Sequence, residues 1–207
     1  MAQLQLNKSS LANEAKSLVT YKRFLPSLDL KRQQLTVERN KAKMIVNETA
    51  KRICALEFYV ADQLPMLANQ NIDLEGLVEL THANIETENI VGTHLPKLSS
   101  VEIKVKPFSV MATPHWVDNV VATLKEMLEL QVFAKVNERR LQLLDKAVRT
   151  ITQRVNLFEK VLIPQTESNI KRIKVYLSDE QMAAVVRSKI AKRKRKRQRQ
   201  RQRVLSE

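Results

Sequence analysis

The sequence predicts a mainly α-helical protein: a long antiparallel two-helix coiled coil formed by an N-terminal and a C-terminal arm, with a small middle region that holds a short helix and a β-hairpin. Only 4% of the 207 residues are aromatic, which is too little for a compact globular core. Only two residues are glycine, which suits long unbroken helices. In both arms, apolar residues recur every three or four positions, as they do on helices packed side by side.

The helix-breaking residues divide the chain. Both glycines, all three histidines and four of the six prolines lie between residues 65 and 115, and such clusters mark turns and loops. Because neither arm can bury its apolar stripe alone, and the middle region is long enough for the chain to turn back, we expect the arms to pair antiparallel. The predicted segments are an N-terminal coiled-coil arm over 1–64, the middle region over 65–114, a C-terminal coiled-coil arm over 115–190 and a disordered basic tail over 191–207.

The C-terminal arm carries the clearest periodicity. Its helix has a start signal in Thr113, Pro114 and Asp118, which offer an N-cap hydroxyl, a proline at the first helical position and an acid in the first turn. Beyond Pro164, residues 178–181 have the pattern of a capping box and predict a further helix start. The predicted coiled-coil seam consists of Leu141, Leu144, Val148, Ile151, Val155, Phe158 and Leu162.

The N-terminal arm has a less regular seam. Leu18 and Leu25 continue a row of leucines spaced by seven, and Leu28, Leu35 and Ala42 form a second row. Arg32 and Arg39 fall on apolar positions of the same register, which weakens a plain two-stranded coil and indicates that the stripe turns or meets other partners. Pro26 is expected to kink the helix. With residue 60 placed opposite residue 116, the antiparallel register puts residue 1 near residue 175.

The middle region contains a strand signal. Val101, Ile103 and Val105 alternate with charged residues, the period of a half-buried strand. A hairpin is the natural partner for it, with residues 89–95 as the second strand and 96–100 as the connection. Residues 67–80 are expected to hold the short helix.

The residue patterns point away from catalysis. A phosphate-binding loop needs glycines a few positions apart, whereas Gly76 and Gly92 are sixteen apart. The three histidines lack metal-ligand spacing, and Cys54, the only cysteine, lies in an apolar helical pattern. We therefore expect no cofactor, no metal, no small-molecule substrate and no catalytic residue. No stretch is apolar enough to span a membrane, and no signal peptide is evident, which favours a reducing, cytoplasmic setting.

The net charge of +14 is concentrated in one place. Residues 187–203 hold eleven Lys or Arg and no acid, which leaves only +3 for the rest of the chain. Two interpretations of this segment stay open: a solvated, frayed end, or a site for phosphate or an acidic protein surface. The segment is basic enough to bind nucleic acid without sequence preference in vitro, but nucleic acid is not the expected partner. No aromatic side chain is present to stack on bases, which argues against a dedicated single-strand reader.

Three blocks of the chain carry a family resemblance. The first covers residues 154–164, from Arg154, Val155 and Asn156 to Pro164, and continues with Ile170, Ile173, Leu177 and Glu180. The second comprises Phe24, Leu25, Leu28, Lys31, Arg32 and Leu35, and the third Asn89, Ile90, Val91, Gly92 and Pro96. In this order, across about residues 10–190, they resemble the D subunits of V/A-type ATPases.

The resemblance implies a non-catalytic central rotor stalk. Members of that family form an antiparallel coiled coil that enters a ring of catalytic and regulatory head subunits (A and B). They also bind the small F subunit of the stalk and seat on the funnel-shaped subunit (C or d) above the membrane ring. By this resemblance the chain would couple ATP hydrolysis or synthesis to proton or sodium movement from the cytoplasmic side, peripheral to the membrane.

Candidate contact residues follow from the seam, the family blocks and the exposed charges of the arms. Arg139, Arg140 and Arg149 are expected to meet acidic loops of the head. Two alternatives from other classes stay open. One is a basic coiled-coil protein that binds nucleic acid or acts as a scaffold, and the other is a cytoskeletal or tethering coiled coil.

Overall fold

The computed structural model of the chain describes residues 5–63, 76–107 and 114–204, with side chains as far as residue 199. In chain order its elements are α1 (Lys8–Gln63), β1 (Val78–Ile90), β2 (Thr93–Val105), α2 (Trp116–Leu157), a π-helical segment (Phe158–Leu162) and α3 (Ile163–Val204). The predicted fold class is confirmed: a long N-terminal helix, a long C-terminal helix and an antiparallel hairpin between them. The short helix predicted over 67–80 lies largely outside the described residues, and its last three positions belong to β1.

The chain divides into two compact units, each of which is considered by itself. The terminal unit comprises the described residues of Met1–Asp29 and Gln153–Glu207. Within it, α1 and the C-terminal helix run antiparallel. Asn169 Nδ2 lies 3.5 Å from Glu14 Oε1, and the rings of Tyr21 and Phe158 meet edge to face with centroids 5.4 Å apart.

The middle unit comprises the described residues of Leu30–Thr152. Here Arg39 Nε of α1 lies 4.0 Å from Asp145 Oδ1 of α2, and further along α1 Thr49 lines a groove with Leu130. These two helix segments are therefore also antiparallel. The predicted register placed Arg39 opposite residue 137, about two helical turns from Asp145. The two predicted helix ends did not fix the register, because it is set by side-chain packing along the seam.

The buried side of α1 repeats with heptad spacing. In the terminal unit the half-buried set includes Leu11, Glu14, Leu18, Tyr21, Leu25 and Leu28. In the middle unit the half-buried or buried set includes Arg32, Leu35, Arg39, Ala42, Val46, Thr49, Ile53, Leu56 and Val60. Steps of three and four alternate without interruption, as expected for a coiled-coil seam. Pro26 is exposed and lies inside α1 without ending it.

The hairpin differs from the predicted pairing. Its turn is Val91–Gly92, both with positive φ (53° and 81°), and Ile90 pairs with Thr93 across it. Two-residue turns of this kind match the twist of the flanking strands. Residues 96–100, predicted as the connection, lie within β2 instead. Pro96 is tolerated there because counting pairs from the turn places it opposite Thr87 at a non-hydrogen-bonded position, where no N–H is required.

Pro164 does not end the C-terminal helix. The Ile163 N–H donates to the Phe158 carbonyl, five residues back, so the chain widens into a π-helical segment just before the proline. The wider turn accommodates the missing proline N–H and the ring that would otherwise clash with the preceding turn. The predicted helix start at 178–181 is wrong, because these residues lie inside α3.

The basic tail was expected to be disordered from residue 191, whereas α3 continues to Val204. Arg, Lys, Gln and Ala, which make up residues 191–203, are all strong helix formers, and this propensity was underestimated against charge repulsion. At the other end of the C-terminal arm, the Val117 N–H donates to the Pro114 carbonyl at 3.0 Å, and Asp118 lies in the first turn of α2 as predicted. Thr113 lies outside the described residues.

Candidate partner-binding surfaces

The seam of the middle unit is built from small and branched side chains. Leu35, Ala42 and Thr49 are buried on one side of α1, and Leu144 and Ile151 are buried on α2. Thr49 avoids an unsatisfied hydroxyl by donating to the Ile45 carbonyl at 2.8 Å. This seam fixes the rotation of both helices about their axes, and so determines which side chains face outward.

The seam contains charged residues at positions where the heptad pattern predicts apolar ones. Arg39 donates through Nη2 to Asn40 Oδ1 at 3.0 Å and faces Asp145 across the helix pair. A charged residue at such a position can favour one register, and here the aligned acid is Asp145. The acid opposite Arg39 belongs to the chain itself, and that the stripe turns or meets other partners stays a prediction.

The terminal unit has its own core and its own ion pair. Val155, Thr166 and Ile173 are buried, and Thr166 Oγ1 donates to the carbonyl oxygens of Leu162 and Ile163 in the turn that contains the π-helical segment. Lys22 Nζ donates to Glu167 Oε1 at 2.8 Å. This hydrogen bond, aided by the positive charge of Lys22, lowers the pKa of Glu167 from its ordinary value of 4.5.

The hairpin is attached to α2 at its turn end. Leu95 is completely buried, and its cross-strand partner Glu88 accepts a hydrogen bond from Arg140 Nη2 at 2.9 Å. The Arg140 side chain is only 17% exposed, so it is occupied within the chain and is not the free surface cation that the sequence suggested. Since a two-stranded hairpin is marginally stable alone, packing on the helices holds it in place.

Two β-bulges interrupt the pairing in the part of the hairpin that lies away from the turn. The pairing shifts between Leu80 and His82 and again between Asn84 and Ile85. The second shift leaves Ser99 without a Cα partner, and its hydroxyl donates to Glu86 Oε1 at 2.9 Å. Such bulges increase twist and re-aim side chains, which brings residues 98–101 to the edge of a groove.

Two open grooves flank the hairpin in the middle unit. The first, of about 520 Å³, lies between α1, the bulged part of β2 and α2, and mixes Arg52 with Glu126, Glu129 and the apolar Phe133. The second, of about 470 Å³, lies between the turn residue Val91 and the exposed apolar Leu30 and Val37 of α1. Both grooves are open, unlike the enclosed pocket of a small-molecule site, and both are suited to protein contact.

The predicted contact residues divide into three groups. The buried ones are the seam residues Leu35, Leu144, Ile151 and Val155. The half-buried ones are Leu18, Leu25, Leu28, Arg32, Arg140, Leu141, Val148, Asn156, Phe158 and Leu162. The exposed ones, which are available to a partner, are Lys31, Arg139, Arg149 and Arg154.

Several contact-forming residues were not predicted from the sequence. Glu14 and Tyr21 lie three residues after Leu11 and Leu18, at the second core position of the heptad that also contains Leu25. Polar residues at this position, if included in the predicted seam, would have been identified from the sequence. No sequence signal links Glu88 to Arg140, because the two are 52 positions apart and belong to different kinds of element.

Three further features bear on the kind of site. Within residues 5–63, 76–107 and 114–204, no group of three or more His, Cys, Asp or Glu side chains is placed to hold a metal ion. A search of the same residues finds no helix with a stretch both long and apolar enough to cross a membrane. Cys54 is a free, exposed thiol on α1.

Comparison with known proteins gives one consistent result. Residues 10–193 match the family profile described as the D subunit of ATP synthase. The chain is 35% identical over 196 residues to the V-type ATP synthase D subunit of Borreliella burgdorferi, with 93% of this chain and 95% of the relative covered. It is 33% identical to the proteins of the same name from Chlamydia muridarum and Chlamydia pneumoniae, over 93% of this chain and 96% and 93% of the relatives.

Proposed function

The chain belongs to the family of ATP synthase D subunits, and on that premise we propose that it is the central rotor shaft of a V-type ATP synthase. In this role it transmits rotation between an ATP-hydrolysing or ATP-synthesising head and a membrane sector that moves protons or sodium ions. The chain itself is non-catalytic and lies on the cytoplasmic side, peripheral to the membrane. The family match over nearly the whole chain is the observation that carries the proposal.

The antiparallel helix pairing in each unit supports a mechanical role. A shaft has to resist twisting, and glycine is absent from α1, α2 and α3. Packing across the seam is reinforced by contacts between distant parts of the chain, such as Lys22 with Glu167 and Arg39 with Asp145. Asymmetric outer faces of such a shaft would contact each head interface in turn and shift it between nucleotide states.

The partners follow from this role. We propose that the arms, over 1–64 and 115–190, enter the ring of catalytic and regulatory head subunits (A and B). The small F subunit of the stalk and the funnel-shaped subunit above the membrane ring bind along the flank and at the membrane-facing end. Arg139 and Arg149, which are exposed cations of α2, are the proposed contacts with acidic head loops.

The test is reconstitution of the complete complex with and without this chain. We expect ATP-driven ion transport to disappear when the chain is omitted and to return when it is added back. A fluorescent probe on Cys54, the only cysteine and an exposed one, should show ATP-dependent rotation by polarisation, with Cys54→Ser as the unlabelled control. Coupled transport that is unchanged without the chain would end the proposal.

A further inference from the structure

The two paired helices of the terminal unit both have interrupted backbone hydrogen bonding. Pro26 of α1 has no N–H and cannot donate to the Lys22 carbonyl, four residues back, and Pro164 likewise removes one bond from the C-terminal helix. Just before Pro164, the N–H of Ile163 donates to the carbonyl of Phe158, five residues back. Prolines and π-helical turns are the usual places at which a helix kinks, because the regular ladder of backbone hydrogen bonds is broken there.

Two side-chain contacts place these interruptions beside each other. The ring of Tyr21 meets that of Phe158 with centroids 5.4 Å apart, and Lys22 Nζ lies 2.8 Å from Glu167 Oε1. Pro26 follows Tyr21 and Lys22 by about one helical turn, and the π-helical segment begins at Phe158. Both helices are therefore interrupted along the same stretch of the pair.

This stretch, residues 21–26 and 158–167, is called the interrupted section, and it is also thinly packed. In α1 none of its residues is buried, and in the C-terminal helix only Thr166 is. In the middle unit, by contrast, a side chain of α1 is buried at every seventh residue from Leu35 to Thr49. A part of a structure with few buried contacts deforms more easily than a well-packed part.

The contacts across the interrupted section tolerate small movements of the helices. The side chains of Lys22 and Glu167 are 55% and 44% exposed, and the flexible lysine stem lets their ion pair persist while the backbones shift. Edge-to-face ring pairs are favourable from about 4.5 to 7 Å between centroids, and the distance between Tyr21 and Phe158 lies inside that range. The two helices can therefore turn slightly against each other here without losing a contact.

We propose that the interrupted section is the compliant part of the shaft, where the helix pair bends and twists more readily than along α2; this rests on the proposed function. Rotation that arrives in steps at one end is held briefly in this section as elastic twist and passed on to the other end. The deformation stays limited, because α1 and the C-terminal helix both continue through the section without a break.

The first test compares two pairs of spin labels on the isolated full-length chain, in which Cys54→Ser removes the native thiol. One pair, Gln153→Cys with Lys174→Cys, spans the interrupted section. The control pair, Lys125→Cys with Lys146→Cys, spans the same number of residues within α2, and all four positions are exposed. We expect the distance distribution measured by electron paramagnetic resonance to be about 1.5-fold to 2-fold wider across the section. Equal widths for the two pairs would overturn the proposal.

A straightened variant tests the cause of the greater width. It combines Pro26→Ala and Pro164→Ala with deletion of the exposed Lys160, and it should narrow the distribution across the interrupted section to that of the α2 pair. The control is Lys160→Ala, which removes the same charge but keeps both prolines and the π-helical turn, and it should leave the width unchanged. Narrowing in both variants, or in neither, would overturn the proposal.

The second test measures the compliance in the assembled complex. With the head fixed and ATP absent, a bead attached through Cys54 reports the thermal angular fluctuation of the shaft. We expect the straightened variant to reduce the variance of the angle about twofold and Lys160→Ala to leave it unchanged. A narrowed distance distribution in the isolated chain with no change of this variance would overturn the elastic role. Failure of the unchanged chain to support ATP-driven ion transport would instead count against the proposed function.

Discussion

At the scale of single residues, long-range ion pairs mark the alignment of the helices. Lys22 with Glu167, Arg39 with Asp145 and Arg140 with Glu88 each join residues far apart in the chain. An exposed pair such as Lys22 with Glu167 contributes little to stability, typically under about 1 kcal/mol, because water screens it. Their value is specificity, since a shift of α1 by one turn against its partner helix would break Lys22 with Glu167 or Arg39 with Asp145.

The Lys22–Glu167 pair predicts a pH dependence in the acid range. Because its pKa is lowered from 4.5 in the folded chain, Glu167 stabilises the fold above that pH, and the contribution is lost as the pH falls through the lower folded-state value. We expect Glu167→Gln to lower the melting temperature slightly near neutral pH, and the difference to vanish once the pH lies below the lowered pKa of Glu167. Lys22→Gln should behave in the same way, whereas a difference that persists unchanged into acid would contradict this assignment.

At the scale of elements, the hairpin turn carries a strained residue. Val91 has φ 53°, a left-handed conformation that β-branched side chains rarely adopt, while Gly92 at φ 81° has no such restriction. We expect Val91→Asn to stabilise the protein by about 1 kcal/mol, because asparagine suits the first position of this turn.

The matched change at the next position should have the opposite sign. Gly92→Ala is expected to cost about 1 kcal/mol from the backbone alone, since a Cβ there would meet nothing within 4 Å. Urea unfolding of both variants checks the pair. If Val91→Asn were destabilising, the contact of the valine side chain with the groove would outweigh its backbone strain.

The helices were easier to predict than the hairpin. The row from Leu141 to Leu162 could be recognised because heptad spacing is a local pattern, and every member is buried or half-buried. The pairing of β1 with β2 was missed because Pro96 looked like a breaker, and its tolerated position becomes evident only once the turn at Val91–Gly92 is known. Contacts such as Arg140 with Glu88 depend on the tertiary packing of the hairpin on α2, which no local pattern encodes.

The π-helical segment acts as a one-residue insertion in the seam. A coiled coil spaces its core residues alternately three and four positions apart. Here two spacings of four residues follow one another, from half-buried Phe158 to half-buried Leu162 and then to buried Thr166. The wider turn takes up the extra residue and keeps Thr166 and Ile173 on the buried side.

This interpretation predicts that a deletion can be tolerated at one place only. Removing the exposed Lys160 together with Pro164→Ala should convert the segment to a regular α-helix and leave the melting temperature within a few degrees of the parent. Removing the exposed Lys171 in the same Pro164→Ala background should rotate Ile173 by about 100° out of the core and destabilise strongly. Thermal melts of the two deletions, which remove the same charge, decide the point, and equal losses would contradict it.

At the scale of the whole molecule, the boundaries between the two compact units fall inside continuous helices. One lies between Asp29 and Leu30 within α1 and the other between Thr152 and Gln153 within α2. Ending a helix at either point would leave several backbone groups unpaired, and restarting one is costly. Helix continuity should therefore couple the stability of the two units.

We expect this coupling to produce a single unfolding transition. Leu144→Ala in the middle unit and Ile173→Ala in the terminal unit each empty a fully buried site (0% exposed) and should cost about 2 to 5 kcal/mol. Leu124→Ala and Val175→Ala, at exposed positions of the same units, serve as controls and should cost little. Hydrogen exchange should show Ile173→Ala weakening protection in residues 30–63 and 116–152 as well as in its own unit. Loss of protection confined to residues 5–29 and 153–204 would show that the units unfold independently, and it would count against the proposed role as a rotor shaft.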